Sequence, residues 1–284
     1  MRFVPMSELL QQATSAGYAV PAFCVWNAET MVAVLRSAEK LKAPVIMMSG
    51  PSEFAVMGPA DMGAVAQAVA RRFNNTRAAL HLDHGDSLEL VEACLAAGYT
   101  SVMLDFSTRP VEENAEALRR VVAMAHPLSV TVEGELGTIG RVDQATVEGD
   151  GQSTLTDPDL AASFVKGTQI DALAVSIGNA HGMYTTLPHL DFDRLAKLQA
   201  AVPAALVLHG GSGTPAEDLR RAISLGIAKV NVASELVNSV RQSLLDQWGA
   251  RQNLWTPLAG AAAIKAMAQV VEKWLHLTGA VGRA

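Results

Sequence analysis

The sequence predicts an α/β fold, a single (β/α)₈ TIM barrel with an extra C-terminal helix. Eight short runs of β-branched and other apolar residues alternate with longer segments of helical periodicity, which is typical of strand–helix units around a parallel sheet. The chain has 284 residues, close to the length of one such barrel. No linker or low-complexity tract divides it, so we expect one domain over residues 1–284.

The predicted strands are short apolar runs bounded by turn residues or helix starts. They occupy residues 19–25, 45–49, 79–82, 101–105, 129–135, 172–177, 205–208 and 228–232. Apolar residues three and four positions apart predict the helices between them, at residues 28–41, 59–73, 88–97, 111–125, 159–166, 191–201, 215–225 and 234–248. Residues 258–277 predict a further helix packed on the barrel.

One segment breaks this alternation, residues 137–156, which are rich in Gly, Asp, Gln and Thr. A loop of that length inside a compact domain usually serves a function, often as a lid over a site. The loop is expected to end at Thr156-Asp157-Pro158. This segment predicts a helix start, because proline is favoured in the first turn of a helix.

Composition excludes several classes of protein. The formal net charge of −6 argues against non-specific binding to nucleic acid, which needs a basic surface. The apolar tail segment carries Lys265, Glu272 and Lys273, too many charges for a membrane span, and the first residues lack the pattern of a signal peptide. Cys24 and Cys94 are far apart, as suits a reducing cytosol. We therefore expect a cytoplasmic protein whose partner is neither nucleic acid nor a membrane.

Three histidines each end an apolar, strand-like run. They are His84 in AALHLDHGD, His181 in DALAVSIGNAHG and His209 in AALVLHGGSG. In a parallel barrel the strand carboxyl ends share one face, where such folds assemble their sites. Three imidazoles converging there would form an open zinc site with a free coordination position for substrate.

Carboxylates also follow the predicted strands. Asp83 directly precedes His84, so it either faces the substrate as an acid/base or orients a ligand histidine. Asp105 and Glu135 would bind a second metal position or hold the histidines by hydrogen bonds. Glu133 lies two residues before Glu135 and faces the same side of the strand, so spacing alone does not separate the two glutamates.

Glycine-rich and polar turns follow the last two strands. The HGGSG turn brings Gly210, Gly211 and Ser212 to the start of a helix, where backbone N–H groups favour an anion. The loops after strands seven and eight are a common phosphate site in such barrels. These loops therefore predict a phosphate site. The residues that end the eighth strand and follow it are Asn231, Val232, Ala233 and Ser234. Ser49 ends the second strand on the same face.

The other histidines are expected to be structural or exposed: His81, His126, His189 and His276. Lys229 points either into the barrel or into the phosphate site. Cys24 is expected to be a small buried residue, since no base partner for a nucleophile is evident.

The ordered motifs resemble the class II, zinc-dependent ketose-bisphosphate aldolases, which include the fructose- and tagatose-bisphosphate enzymes. The resemblance covers most of the chain and rests on PAFCVWNAET, APVIMMSG, HLDHGDSLELVEACLAAGYTSVMLDFSTRPVEENA, VEGELGTIG, TDPDLAASFV, DALAVSIGNAHGMY, LHGGSGTP and KVNVASEL. It implies cleavage of a phosphorylated ketose to dihydroxyacetone phosphate and an aldehyde. It also implies a homodimer or homotetramer.

The resemblance assigns a role to each candidate residue. His84, His181 and His209 correspond to the zinc ligands, Asp83 to the acid/base, and Asp105 and Glu135 to carboxylates near an alternative metal position. Gly182, Gly210, Ser212 and residues 231–234 match the region that binds the donor phosphate and a monovalent cation, Na⁺ or K⁺. A carboxylate on the long loop would protonate the enediolate carbon, and Asp143 aligns with it.

Four departures from the family pattern lie at the acceptor end and on the loop. Asp143 stands where the family usually has Glu, Arg141 replaces a glycine, and Cys24 replaces an Asn. The late DPR-like segment is missing, and residues 253–257 occupy its region. Arg109 and Arg141 are candidate partners for a second anionic group, or simply solvated surface arginines.

Two alternatives to a bisphosphate aldolase stay open. One is a dihydroxyacetone-phosphate-dependent aldolase with a different acceptor, such as a sugar acid or another aldehyde. The other is a non-catalytic subunit that binds a phosphorylated sugar.

Overall fold

A computed structural model describes residues 1–140, 154–182, 188–251 and 254–284. Within these ranges eight parallel strands close into a barrel in chain order, and β1 pairs with β8. The strands are β1 Val20–Cys24, β2 Val45–Ser49, β3 Ala78–Gly85, β4 Ser101–Leu104, β5 Thr131–Leu136, β6 Ala172–Val175, β7 Ala205–Leu208 and β8 Ile227–Val232. The predicted (β/α)₈ barrel is therefore confirmed.

The helices follow the strands around the outside of the barrel. They are α1 Met6–Ala16, α2 Ala28–Leu41, α3 Gly58–Ala70, α4 Leu88–Ala96, α5 Val111–Ala125, α6 Pro158–Thr168, α7 Phe192–Ala201, α8 Ala216–Ser224, α9 Ser234–Gly249 and α10 Thr256–Leu277, with a 3₁₀ turn at His126–Leu128. Local sequence fixes several starts: the Asn27, Ser87 and Asp157 side chains each accept from a backbone N–H in the first turn of α2, α4 and α6.

The barrel has two additional helices. The C-terminal helix α10 was predicted, and it packs against α9 and α2. The N-terminal helix α1 was not predicted, although Met6, Leu9, Leu10 and Ala13 have helical spacing and form its buried face. α1 contacts strands of the barrel, and the Met6 sulfur accepts a hydrogen bond from Ser101 Oγ on β4. No helix in the described ranges combines the length and apolarity needed to cross a membrane.

Two strand bounds differ from the prediction in ways that matter for the site. β3 extends to Gly85, so His84 belongs to the strand rather than following it. β6 ends at Val175, and His181 lies on the loop beyond it, where its backbone N–H donates to Gly140 O (2.8 Å). This bond ties the loop after β6 to the segment that follows β5.

Candidate active site

A cavity of about 430 Å³ opens at the carboxyl ends of the strands. Most of the predicted site residues line it: Ser49, Asp83, His84, Asp105, Glu135, His181, Gly182, Gly210, Ser212, Asn231, Ala233 and Ser234. Three other predicted site residues do not line the cavity: His209, Gly211 and Val232. The Gly211 N–H donates to Asn231 O (3.0 Å), and Val232 is buried in the core. Asp143 and Arg141 lie outside the described residues.

The three predicted histidines converge on one point. His84 Nε2 lies 3.2 Å from His181 Nε2 and 3.0 Å from His209 Nδ1. His209 is fully buried, and the other two are partly exposed to the cavity. Three nitrogens this close form a group able to hold a metal ion, and His84, Asp105 and Glu135 form a second, overlapping group.

A local distortion of β3 aims His84 at this point. Its backbone has φ 47°, and the pairing of β3 with β4 shifts register between Leu82 and Gly85. In a regular strand Asp83 and His84 would point to opposite faces, but the distortion lets both side chains reach the cavity. A left-handed conformation costs a non-glycine residue about 1 kcal/mol, and such strain is typical of functional sites.

Carboxylates fix the orientation of two of the histidines. Asp105 Oδ2 lies 2.7 Å from His84 Nδ1, and Glu133 Oε1 lies 2.9 Å from His209 Nε2. Each carboxylate accepts the ring N–H that faces it, which leaves His84 Nε2 and His209 Nδ1 as the nitrogens that face the centre. Asp105 is thus a partner of His84, and Glu133 is a partner of His209.

Glu133 belongs to a buried polar chain that the sequence did not reveal. Lys229 Nζ donates to Glu133 Oε2 (2.6 Å) and to His81 Nε2 (3.1 Å), and His81 Nδ1 donates to Ser101 Oγ (2.8 Å). The Glu133, Lys229 and His81 side chains are all fully buried. Lys229 therefore points into the barrel, and His81 is structural, as predicted, but it belongs to the chain behind His209. In the sequence, these side chains are indicated as inward-facing only by the two-residue alternation of facing along the strands.

Glu133 and Glu135 share a face of β5 but have different surroundings. Glu133 lies below His209, whereas Glu135 lines the cavity with its Oε2 3.6 Å from His209 Nδ1. Glu135 Oε2 is buried and has no hydrogen-bond partner in the described structure. Burial, together with the nearby Asp105 carboxylate, raises the pKa of Glu135 to about 8.

The same groups set the charge of the histidines in the metal-free protein. Burial lowers the pKa of His84, but the carboxylates of Asp83, Asp105 and Glu135 outweigh it and raise that pKa to about 10. Burial, followed by the charge on His84, holds the pKa of His209 well below its ordinary value. At neutral pH a protonated His84 therefore donates from Nε2 to the neutral Nδ1 of His209.

Asp83 faces the cavity beside the histidines. Its Oδ1 accepts a hydrogen bond from Asn231 Nδ2 on β8 (2.9 Å). Asn231 Oδ1 is buried and has no partner among the described residues, which leaves an acceptor next to the Asp83 carboxylate. A carboxylate in this setting is placed to exchange a proton with a hydroxyl group bound near the histidines.

The predicted phosphate loops meet at the start of α9. Ser212 Oγ accepts from the Glu235 N–H (3.2 Å), and residue 233, before α9, provides no side-chain cap. The Glu235 carboxylate accepts from Lys273 (2.6 Å) and from the Trp274 indole (2.8 Å), so α10 holds the first turn of α9 in place. Backbone N–H groups at such a helix start favour an anion.

Residues at the ends of β1 and β2 and in the turn after β2 form another part of the cavity wall, which sequence reasoning largely missed. Cys24 and Ser49 line it, as do Gly50 and Glu53. Ser49 Oγ and Tyr99 OH form a hydrogen bond (2.8 Å), and Glu53 Oε2 accepts a hydrogen bond from the Gly50 N–H (2.8 Å). Glu53 lies in an irregular turn, where no periodic pattern marks a functional side chain.

Comparison with known proteins identifies the family. The sequence profile described as "Fructose-bisphosphate aldolase class-II" matches residues 4–283. The chain belongs to the class II fructose-bisphosphate aldolase family. It is also similar to the solved YdjI aldolase of Escherichia coli, with 33% identity, a TM-score of 0.88 and coverage of 99% of each chain.

A more distant member of this fold is similar over its whole length. The fructose-bisphosphate aldolase (Fba) of Campylobacter jejuni is 21% identical, with a TM-score of 0.82, and the match covers 100% of this chain and 97% of that one. This likeness supports the barrel alone. Family membership and the YdjI aldolase support the assignment of this chain as an aldolase, and class II aldolases are typically metal-dependent.

Metal binding by this aldolase should release protons. A metal ion needs the lone pair on His84 Nε2, which carries a proton below pH about 10, the raised pKa of His84. We expect the apparent metal affinity to rise with pH, by about tenfold per unit through the neutral range. Calorimetry at pH 7.5 in two buffers of different ionisation enthalpy measures the protons released. A release near zero would contradict the prediction.

Proposed function

We propose that the chain is a zinc-dependent aldolase that reversibly cleaves a phosphorylated ketose to dihydroxyacetone phosphate and an aldehyde. The observation that carries the proposal is the convergence of the buried His209 with His84 and His181, which line one cavity together with Asp83.

The donor set fits zinc. Two nitrogens bound tetrahedrally to zinc lie about 3.3 Å apart, given Zn–N distances near 2.0–2.1 Å. The separations of His84 from His181 and His209, 3.2 and 3.0 Å, are close to that value. Three imidazoles, two of them with carboxylates on their outer nitrogens, and a cavity on the open side are the arrangement of a catalytic zinc site.

Cleavage requires a base, an electron sink and an acid. When bound, zinc supplies the Lewis acidity that polarises the ketose carbonyl. Asp83 accepts the proton of the C4 hydroxyl, the C4–O bond becomes the aldehyde carbonyl, and the C3–C4 bond breaks with its electron pair left on C3. A proton delivered to C3 completes dihydroxyacetone phosphate. Asp143, outside the described residues, stays the predicted donor of that proton.

The phosphate of the dihydroxyacetone half needs a separate anion site in the same cavity. Gly182, Gly210 and Ser212 line the cavity together with the residues that begin α9. Backbone N–H groups and the positive end of the helix dipole bind phosphate without a lysine or arginine. This is where the proposal places the donor phosphate.

Metal removal tests the proposal. Treatment with a chelator, followed by its removal, should abolish cleavage of phosphorylated ketoses, and stoichiometric zinc should restore it. Product identity is checked by coupling the released dihydroxyacetone phosphate to its reduction. Full cleavage by protein with no bound metal would refute the assignment. A non-catalytic subunit, the remaining alternative, would bind the phosphorylated sugar but release no aldehyde with zinc restored.

A further inference from the structure

The cavity wall at the carboxyl ends of β1 and β2, formed by Cys24, Ser49, Gly50 and Glu53, lies next to Asp83. A side chain on Gly50 would meet Asp83 O at 2.6 Å, so the turn after β2 packs directly on the backbone of Asp83. Burial raises the pKa of the Cys24 thiol well above its usual value, and the nearby carboxylates of Glu53 and Asp83 raise it further. Cys24 therefore lies close to both carboxylates. Under the proposed function Asp83 acts on the hydroxyl of the aldehyde half, so that half lies against this wall.

The Glu53 carboxylate takes up the hydrogen-bond donor with which this wall could bind an anion. Its Oε2 accepts a hydrogen bond from the Gly50 N–H at 2.8 Å, and the carboxylate lies close enough to the Cys24 thiol to raise the pKa of that thiol. A phosphate bound here would need this same N–H donor. It would have to displace a carboxylate, also negatively charged, that the chain already holds in place.

The other charged side chains that line the cavity also disfavour a phosphate at this wall. Apart from the histidines, the charged side chains among the described lining residues are all carboxylates, Glu53, Asp83, Asp105 and Glu135. Arg109, a candidate anion partner from the sequence, stacks on the Phe106 ring at 3.6 Å and lines a separate surface depression. Within the described part of the chain, the acceptor end therefore repels a phosphate and provides no cation to bind it.

We propose that Glu53 makes this wall specific for an uncharged, hydroxylated aldehyde, so that the ketose carries one phosphate, on its dihydroxyacetone half. The inference rests on the proposed function and names its substrate class. A carboxylate accepts hydrogen bonds from the hydroxyl groups of such an aldehyde and repels an aldehyde that carries a phosphate. The donor phosphate is unaffected, because backbone N–H groups at the start of α9 bind it instead.

Paired condensation assays test the inference. Dihydroxyacetone phosphate is offered with glyceraldehyde or with glyceraldehyde 3-phosphate, and the ratio of kcat/KM for the two aldehydes is measured on the zinc-loaded protein. The wild-type ratio should favour glyceraldehyde. Glu53→Gln keeps an acceptor for the Gly50 N–H but removes the charge, and it should shift the ratio towards the phosphorylated aldehyde by about tenfold or more.

The matched control is Glu92→Gln, an exposed glutamate on α4 outside the cavity, which should leave the ratio unchanged. A wild-type preference for glyceraldehyde 3-phosphate, or an unchanged ratio in Glu53→Gln, would overturn the inference. The wild-type ratio decides the substrate class even if the variant folds poorly.

A separate experiment reports the donor half alone. It measures exchange with deuterated water of a hydrogen of dihydroxyacetone phosphate, on the carbon that becomes C3 of the ketose. The absence of this exchange would overturn the proposed function and the inference together, whereas exchange with the wrong aldehyde preference overturns the inference alone.

Discussion

Replacement of Asp83 by alanine is expected to lower kcat for ketose cleavage by about 10²–10⁴-fold, the range measured when a general acid or base is removed. The physical reason is that Asp83 lines the cavity beside the three histidines, and Asn231 holds its carboxylate in place at 2.9 Å. Zinc content should not change, because Asp83 is not one of the three converging ligands. Steady-state cleavage kinetics and metal analysis of the purified variant measure the two effects.

The neighbouring Asp86 provides the control for Asp83. It follows β3 by one residue but is exposed and lies outside the cavity. Asp86→Ala should therefore keep both activity and zinc. If Asp83→Ala cleaved the ketose at the wild-type rate with zinc bound, Asp83 would not be the acid/base. If the variant lost zinc as well as activity, Asp83 would be assigned the alternative role of supporting the metal site instead of the role of acid/base.

Replacement of Lys229 by methionine is expected to lower the free energy of unfolding of the metal-free protein by about 3–5 kcal/mol, because it leaves the buried charge of Glu133 unpaired. Lys229 and Glu133 are both fully buried, and their charged atoms lie 2.6 Å apart. Glu133 also accepts from the ring of His209, so an unpaired Glu133 should weaken zinc binding as well. Urea unfolding and competition with a chromogenic chelator measure these two quantities.

Two further variants separate loss of charge pairing from loss of volume. In the double variant Glu133→Gln with Lys229→Met, no charge stays buried and the glutamine oxygen still accepts from His209. It should recover much of the stability and of the zinc affinity. Lys40→Met removes a lysine from an exposed pair with Glu272, whose side chains are 61% and 30% exposed, and should cost at most about 1 kcal/mol. A Lys229→Met variant as stable as Lys40→Met would contradict the importance of the buried pair.

The fold and much of the site were predictable because they depend on local patterns. Short apolar runs between helical segments predicted the eight strands, and the chemistry of a parallel barrel places its site at their carboxyl ends. His84 and His209 lie at or next to the ends of β3 and β7, so the strand pattern located them. His181 lies beyond the predicted sixth strand, residues 172–177, and the structure places it on the loop after β6, from where it reaches the cluster.

Other features depend on depth and orientation, which the two-residue period of a strand does not encode. Glu133 and Glu135 have the same facing, yet one lies under His209 with Lys229 and the other lines the cavity. Glu53 lies on a turn without periodicity, so only the packing of that turn on Asp83 reveals it as part of the cavity.

The sequence by itself determined the (β/α)₈ barrel, the resemblance to class II aldolases, and the three histidines beside an aspartate. These follow from residue type and spacing along single strands. Only the tertiary structure decided how β3 is distorted to bring Asp83 and His84 to the same cavity, which carboxylate supports which histidine, and that Glu53 occupies the acceptor wall. Most of those arrangements depend on contacts between separate elements of the barrel, and such distances are fixed by packing and closure of the barrel rather than by a local pattern.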